Sequence, residues 1–278
     1  MNTKQAKQIF EKYNPIDAVT CCPNEKTAIR ESLNTYAKAA VNLYGIISVK
    51  EFVEIFNSQN AKKTNTSEVF NLLLPIILKN RKLPIWRLSG YCFYKDCIVH
   101  YIAFRNFIFG DFLLNIQGDK PRFIPEKTEF LKYENKFYED ENQQSHWEKV
   151  IVFICKEWPN KNGIFSFWEE LKENSQRFVL MRHSELLEEY NLIFRSKKKI
   201  QPFFDLLETA HNNTRLWINK GYSPIELMKI KKRDLSEWKN NADKACLEIL
   251  NYDNQIINEY FLNLERKDQE VRKIRKKV

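Results

Sequence analysis

The chain is expected to be mainly α-helical, with one small β-hairpin in its N-terminal third. Apolar residues recur at three- and four-residue spacing through most of the 278 residues. Only the stretch around residues 85–101 changes to short aromatic and β-branched runs separated by turn residues. Six glycines and nine prolines leave little material for long loops.

In chain order, residues 5–13 form a short leading helix and residues 15–23 a linker. The next helix carries Ile29, Leu33, Tyr36, Ala37, Ala40 and Leu43 on one face, and Gly45 stops it. Ser48 and Glu51 make a Ser-x-x-Glu capping box that opens a second helix burying Phe52, Ile55 and Phe56. A third helix starts near Thr66 and runs through Val69, Leu72 and Leu73 to about Lys79. Runs 85–88, 91–94 and 98–101 read as strands, with turns at Ser89-Gly90 and Lys95-Asp96. Three helices followed by a hairpin is the plan of a winged helix, whose usual partner is nucleic acid.

Residues 102–124 suit strand and helix equally. Pro125 opens an acidic helical stretch reaching Tyr138. Residues 143–157 place Trp147, Val150, Ile151 and Ile154 on one helical face, and a loop follows from Trp158 to Gly163. Further helices are expected at 164–174, 177–194 and 200–212. Ser223, Pro224 and Glu226 start another, and the last spans about 241–274, its apolar stripe ending near Leu264. Two domains are therefore expected: 1–118, a leading helix and a winged-helix-like module, and 119–278, an α-helical domain with a basic tail.

Hydrophobic residues at 43% and charged residues at 29% suit a folded domain. No apolar run approaches the roughly 20 residues that a membrane helix needs. The longest, 69–78, contains Pro75, and no apolar signal-type segment follows Lys4 and Lys7. A cytoplasmic location without a membrane partner is the expectation. Cys21-Cys22 is vicinal, while Cys92, Cys97, Cys155 and Cys246 sit among hydrophobic neighbours without Cys-x-x-Cys spacing. They read as buried free thiols, although a cross-strand Cys92–Cys97 contact fits the hairpin. The four histidines form no metal-binding pair, and neither a phosphate-binding glycine loop nor a Gly-x-Ser-x-Gly elbow occurs. No catalytic residue, metal or cofactor is expected, though a dispersed catalytic site leaves no mark in a sequence.

The net charge of +9 is unevenly spread. Residues 1–118 hold 15 Lys/Arg against 9 Asp/Glu, residues 119–190 hold 11 against 15, and residues 191–278 hold 19 against 12. A polyanion would meet the two ends first. The candidate nucleic-acid contacts are Lys62 and Lys63 before the third helix, Lys79, Arg81, Lys82 and Arg87 after it, Lys197, Lys198 and Lys199, and Lys231, Lys232 and Arg233. Taken singly, each run is better read as a solvated helix end favoured by the helix dipole. The third helix itself is so apolar that it must be packed on several sides.

The alternative is that this chain is a protein-interaction module, such as a phage- or mobile-element-encoded adaptor or inhibitor, docking through aromatic surface near Trp86, Tyr91 and Phe93. The densest polar motif is 212–227. Its Asn213, Arg215 and Trp217 serve either as a structural corner between two helices or as a recognition patch for phosphate or peptide.

Three stretches carry a resemblance: 36–57, with Leu43-Tyr44-Gly45-Ile46-Ile47-Ser48; 122–138, with Arg122-Phe123-Ile124-Pro125-Glu126-Lys127 and Leu131-Lys132-Tyr133; and 213–227. They resemble a group of poorly characterised bacterial helical proteins, some of which end in a SEC-C zinc motif. The resemblance implies a helical protein with an adaptor or nucleic-acid-linked role and no established reaction. No cysteine follows Cys246, so the zinc ligands of those members are absent here. The expected function is non-enzymatic binding of nucleic acid or a nucleoprotein complex.

Overall fold

A computed structural model describes residues 3–15, 27–78, 90–105, 107–177 and 183–231. They are mainly helical, with one small three-stranded sheet. The chain divides into two compact units, residues 1–144 with 212–227, and residues 145–211 with 228–278. The first unit thus passes the expected boundary at 118 and takes back a segment from beyond residue 200. Hydrogen bonds explain part of this extension. The Asn42 side chain donates to the Tyr133 and Glu134 carbonyls, and Gln59 Nε2 donates to the Pro125 carbonyl.

The first unit contains α1 (Thr3–Tyr13), α2 (Thr27–Tyr44), β1 (Ile46–Ser48), α3 (Val49–Gln59), α4 (Thr66–Leu78), β2 (Tyr91–Tyr94), β3 (Cys97–His100), α5 (Tyr101–Arg105), α6 (Phe107–Gln117) and α7 (Lys127–Lys132). The sheet is antiparallel with order β1-β3-β2, pairing Ile46 with Val99 and Tyr91 with His100. β1 was not expected, because three residues between a helix stop and a helix cap are too few to show alternation. Gly45, at φ 72°, turns the chain into it and accepts the His100 N–H through its carbonyl at 2.8 Å.

α2 buries its expected face together with Ala39, Val41 and Tyr44, since it packs against α4, α7 and the sheet. Ser48 caps α3 through its hydroxyl, which is half of the expected capping box. Ser48 Oγ accepts the Glu51 N–H at 3.1 Å and donates to the Glu51 carboxylate at 2.8 Å. α4 buries Val69, Leu72, Leu73, Leu74, Ile77 and Leu78. Polar residues just before it serve as its cap. Asn65 Oδ1 accepts the Glu68 N–H, and Thr64 Oγ1 donates to the Glu68 carboxylate.

β2 is an edge strand, and Asn14 occupies the missing neighbour's place. Its buried amide donates to the Phe93 carbonyl at 2.9 Å and accepts the Phe93 N–H at 3.0 Å. Covering an edge in this way removes a template for strand addition.

The second unit holds most of α8 (Glu141–Glu157), with α9 (Ile164–Arg177), α10 (His183–Glu189) and most of α11 (Ile200–Asn212). Trp147, Val150, Ile154, Phe167, Leu171, Leu186, Leu187 and Phe203 share one core. α12 (Pro224–Lys231) follows.

Several expectations are corrected. Residues 101–117 are helical except for Asn106, which lies outside the described residues. The acidic helix after Pro125 is only the six residues of α7, because turns follow Lys132 and Asn135 Oδ1 accepts the Phe137 N–H. The helix expected over 177–194 ends at Glu189, and Asn191 adopts φ 49°. Cys92 pairs with Val99 and Cys97 with Tyr94, so the two thiols are not opposite each other, and both are free. Cys155 is exposed rather than buried. Strand 85–88, the helix at 241–274 and the linker beyond Pro15 lie outside the described residues.

Replacing Asn14 by Ala leaves both backbone groups of Phe93 unpaired at the sheet edge. The variant should lose about 2 kcal/mol of stability, seen as a lower denaturant midpoint at unchanged slope. An unmoved midpoint would remove Asn14 from this role.

Candidate functional site

Polar and aromatic groups of the first unit converge where α2 ends. The segment 212–227 reaches this place through a 3₁₀ turn at Trp217–Asn219. Trp217 Nε1 donates to the Asn42 carbonyl at 2.9 Å, and its indole lies against Gly45 so closely that a Cβ there would sit 2.5 Å away. A Cβ on Gly221 would likewise meet the Tyr44 ring at 2.9 Å. Gln117 Nε2 donates to the carbonyls of both Tyr44 and Trp217, at 2.8 and 2.7 Å. The buried Lys120 ammonium donates to the Ile218 carbonyl. Two separated parts of the chain are thereby locked on one helix end.

Two arginines flank this lock, each stacked on an aromatic ring. Arg215 stands 3.6 Å over Phe123, pairs with Asp140 at 2.9 Å and Glu226 at 2.8 Å, and donates to the Gly221 carbonyl. Burial opposes its charge, but Tyr133, Glu226 and Asp140 outweigh that and raise its pKa. Glu226 also accepts the Ser223 N–H, completing the second expected capping box while it holds Arg215.

Arg122 lies 4.5 Å over the Tyr44 ring, with its side chain only 7% exposed. Its Nη2 pairs with Glu51 at 3.0 Å, whereas Nε and Nη1 are buried without a hydrogen-bond partner. The other Glu51 oxygen is 3.9 Å from the Lys220 ammonium. Burial raises the Glu51 carboxyl, but Arg122, the Ser48 hydroxyl and Lys220 overcome it and hold the group below the ordinary carboxylate value. Lys220 is shifted downward, first by burial and then by Arg122, against the weaker pull of Glu51 and Asp119.

The expected nucleic-acid residues fall in several places. Lys62 and Lys63 are exposed beside α4. Lys63 donates to the Asn57 and Asn60 carbonyls, closing the end of α3. Lys197, Lys198 and Lys199 are exposed in a 3₁₀ turn of the second unit, with Ser196 as cap. Lys231 ends α12, and nothing is described of its side chain. Lys79, Arg81, Lys82, Arg87, Lys232 and Arg233 lie outside the described residues, as does Trp86.

Among the described residues, the members of the expected interaction patch do not form an exposed surface. Tyr91 and Phe93 are buried in β2, where Tyr91 donates to Asn34 and Phe93 stacks on Phe70. Arg215 and Trp217 are buried, and the half-buried Asn213 accepts from Asn142. These side chains face inward because α1 and α4 pack on the hairpin and the 212–227 segment packs on α2. Arg122, Glu51 and Lys220 escaped the sequence reading. The capping-box role of Glu51 was legible, but its ion pair joins residues 71 positions apart.

Among the described residues, no three His, Cys, Asp or Glu side chains could hold a metal ion, and no helix is long and apolar enough to cross a membrane. Comparison with family models, curated proteins and solved structures returned no match.

Gly45→Ala combines a strained positive φ with a collision against Trp217, and should cost about 3 kcal/mol or more. Gly90→Ala has a similar φ of 78° but open space around it, so only about 1 kcal/mol is expected. Equal losses in thermal or chemical denaturation would deny the Trp217 contact.

Because Glu51 has a depressed folded pKa, its stabilising effect is complete above the unfolded value of about 4.3 and fades as the pH falls through the lower folded value. The stability advantage of wild type over Glu51→Gln should therefore shrink below about pH 4. A difference independent of pH would contradict the ion pair.

Proposed function

We propose that this chain is a non-enzymatic, cytoplasmic binding protein whose first unit is a winged-helix-like module, and that it contacts nucleic acid or a nucleoprotein complex. One observation carries the reading: the order α2-β1-α3-α4-β2-β3 with an antiparallel sheet ordered β1-β3-β2. In such a module the third helix is the element offered to a groove.

Here that helix is α4, whose exposed positions include Thr66, Ser67 and Asn71, with Asn65 just before it. Hydroxyl and amide side chains suit contacts to base edges and phosphates. α4 itself contains no Lys or Arg. Phosphate attraction therefore rests on the flanking Lys62 and Lys63 and on Lys79, Arg81, Lys82 and Arg87. The three stretches that resemble the bacterial helical group all fall in the first unit, which supports treating them as one module with an adaptor or nucleic-acid-linked role.

A protein-interaction role is the second reading. It is favoured by Phe137 and Ile124, which are 63% and 51% exposed in the first unit.

Fluorescence anisotropy with labelled duplex DNA, single-stranded DNA and RNA separates the two. If six or more phosphates are contacted, affinity should fall by about a thousandfold or more between 50 and 200 mM salt. Changing Lys79, Arg81, Lys82 and Arg87 together to Glu should abolish binding while the circular dichroism spectrum is retained. Absence of binding to all three probes, or binding indifferent to salt, would favour a protein partner instead.

A further inference from the structure

We infer that the basic loop of the second unit, Arg195 with Lys197, Lys198 and Lys199, is a further contact for nucleic acid that grips the phosphate backbone without reading sequence. This surface lies outside the winged-helix-like module, and its assignment rests on the nucleic-acid reading above. Basic runs are ordinarily explained as helix ends favoured by the dipole, and other described lysines fit that account. Lys63 donates to the carbonyls that close α3, and Lys231 is the last residue of α12. Lys197, Lys198 and Lys199 stand at the opposite kind of end. Their 3₁₀ turn runs straight into the N-terminus of α11, whose first turn holds no acid. The dipole is already positive there, so three ammonium groups oppose the helix. Helix stability does not account for them.

Ion pairing does not account for them either. Residues 190–204 contain no Asp or Glu. All four cations are exposed, and among the described residues no carboxylate pairs with Arg195, Lys198 or Lys199. The loop is nevertheless fastened from below. Glu157, buried at the end of α8, accepts the Arg195 N–H at 2.7 Å, and Trp158 Nε1 donates to the Ile193 carbonyl at 2.9 Å. Between these two anchors Phe194 packs on Trp158 and Phe203, with ring centres 5.0 and 5.4 Å apart. Ser196 Oγ accepts the Lys198 N–H and sets the 3₁₀ turn. A charged surface fixed in advance loses less entropy when it binds.

Charge selects the partner. A nucleic acid carries a phosphate at regular intervals, so closely spaced cations find partners on it without any matched sequence. The loop exposes no aromatic ring on which a base could stack, which limits the contact to the backbone. Ile193, 70% exposed at the edge of the loop, is the group that an acidic protein would cover instead.

The test changes Arg195, Lys197, Lys198 and Lys199 together to Gln in the full chain. Affinity for labelled duplex DNA, single-stranded DNA and RNA of scrambled sequence is then measured over a salt series. The variant should bind about tenfold more weakly or worse, with a slope of log affinity against log salt shallower by about 3. It should also melt no lower than wild type, since the cations it loses oppose the helix dipole. Ile193→Ser removes no charge and should leave the affinity unchanged. Unchanged affinity and slope in the Gln variant, while wild type binds, would overturn this contact and leave the first-unit reading standing. Loss of binding from Ile193→Ser, or a lower melting temperature in the Gln variant, would also overturn it, in favour of a protein partner or a structural role. Wild type that binds none of the three probes would end both readings.

Discussion

The contact between Trp217 and Gly45 is the constraint on which the first unit depends. No side chain larger than hydrogen fits at residue 45 while the indole is in place. The same glycine supplies the left-handed turn that ends α2 and the carbonyl that receives His100. One position therefore ends a helix, starts a strand and seats an aromatic ring from 172 residues later in the chain. Tyr44 and Gly221 repeat the arrangement with the partners reversed, the large ring now on α2 and the glycine on the returning segment. A lock of this kind accounts for why residues 212–227 belong to the first unit although the chain between passes through the second.

Around the lock, charge is handled in two ways. Arg215 is matched by two carboxylates and a carbonyl and stacked on Phe123, so its burial is compensated. Arg122, stacked on Tyr44, is matched by one carboxylate that also faces Lys220. Both arginines flank the end of α2, yet Arg122 keeps two buried nitrogens without a hydrogen-bond partner.

Local signals in the sequence were largely sufficient for the elements. Helical spacing located α2, α3 and α4, and both Ser-x-x-Glu motifs cap helices, the Ser223 one reciprocally and the Ser48 one through its hydroxyl, because caps and stripes depend on residues within a few positions of each other. Elements defined by distant partners were harder to see. β1 exists because β3 lies beside it, and α5 and α6 replaced an ambiguous stretch only through packing. Aromatic content misled at the candidate site. Tyr91, Phe93 and Trp217 signalled importance, which is correct, but a single sequence does not distinguish an aromatic that anchors a core from one that meets a partner. The link of Arg122 and Lys220 to Glu51 gave no signal, because its members are far apart in the sequence and meet only after folding.

Native-state hydrogen exchange tests the lock most directly. The Lys220 and Gly221 amides donate to the Trp217 and Leu216 carbonyls, and the His100 amide donates to Gly45. If the returning segment is integral to the first unit, all three should open with the same free energy, that of unfolding the unit as a whole. Rapid exchange at Lys220 and Gly221 while His100 stays protected would show that residues 212–227 detach on their own, and the lock would not be what holds the fold.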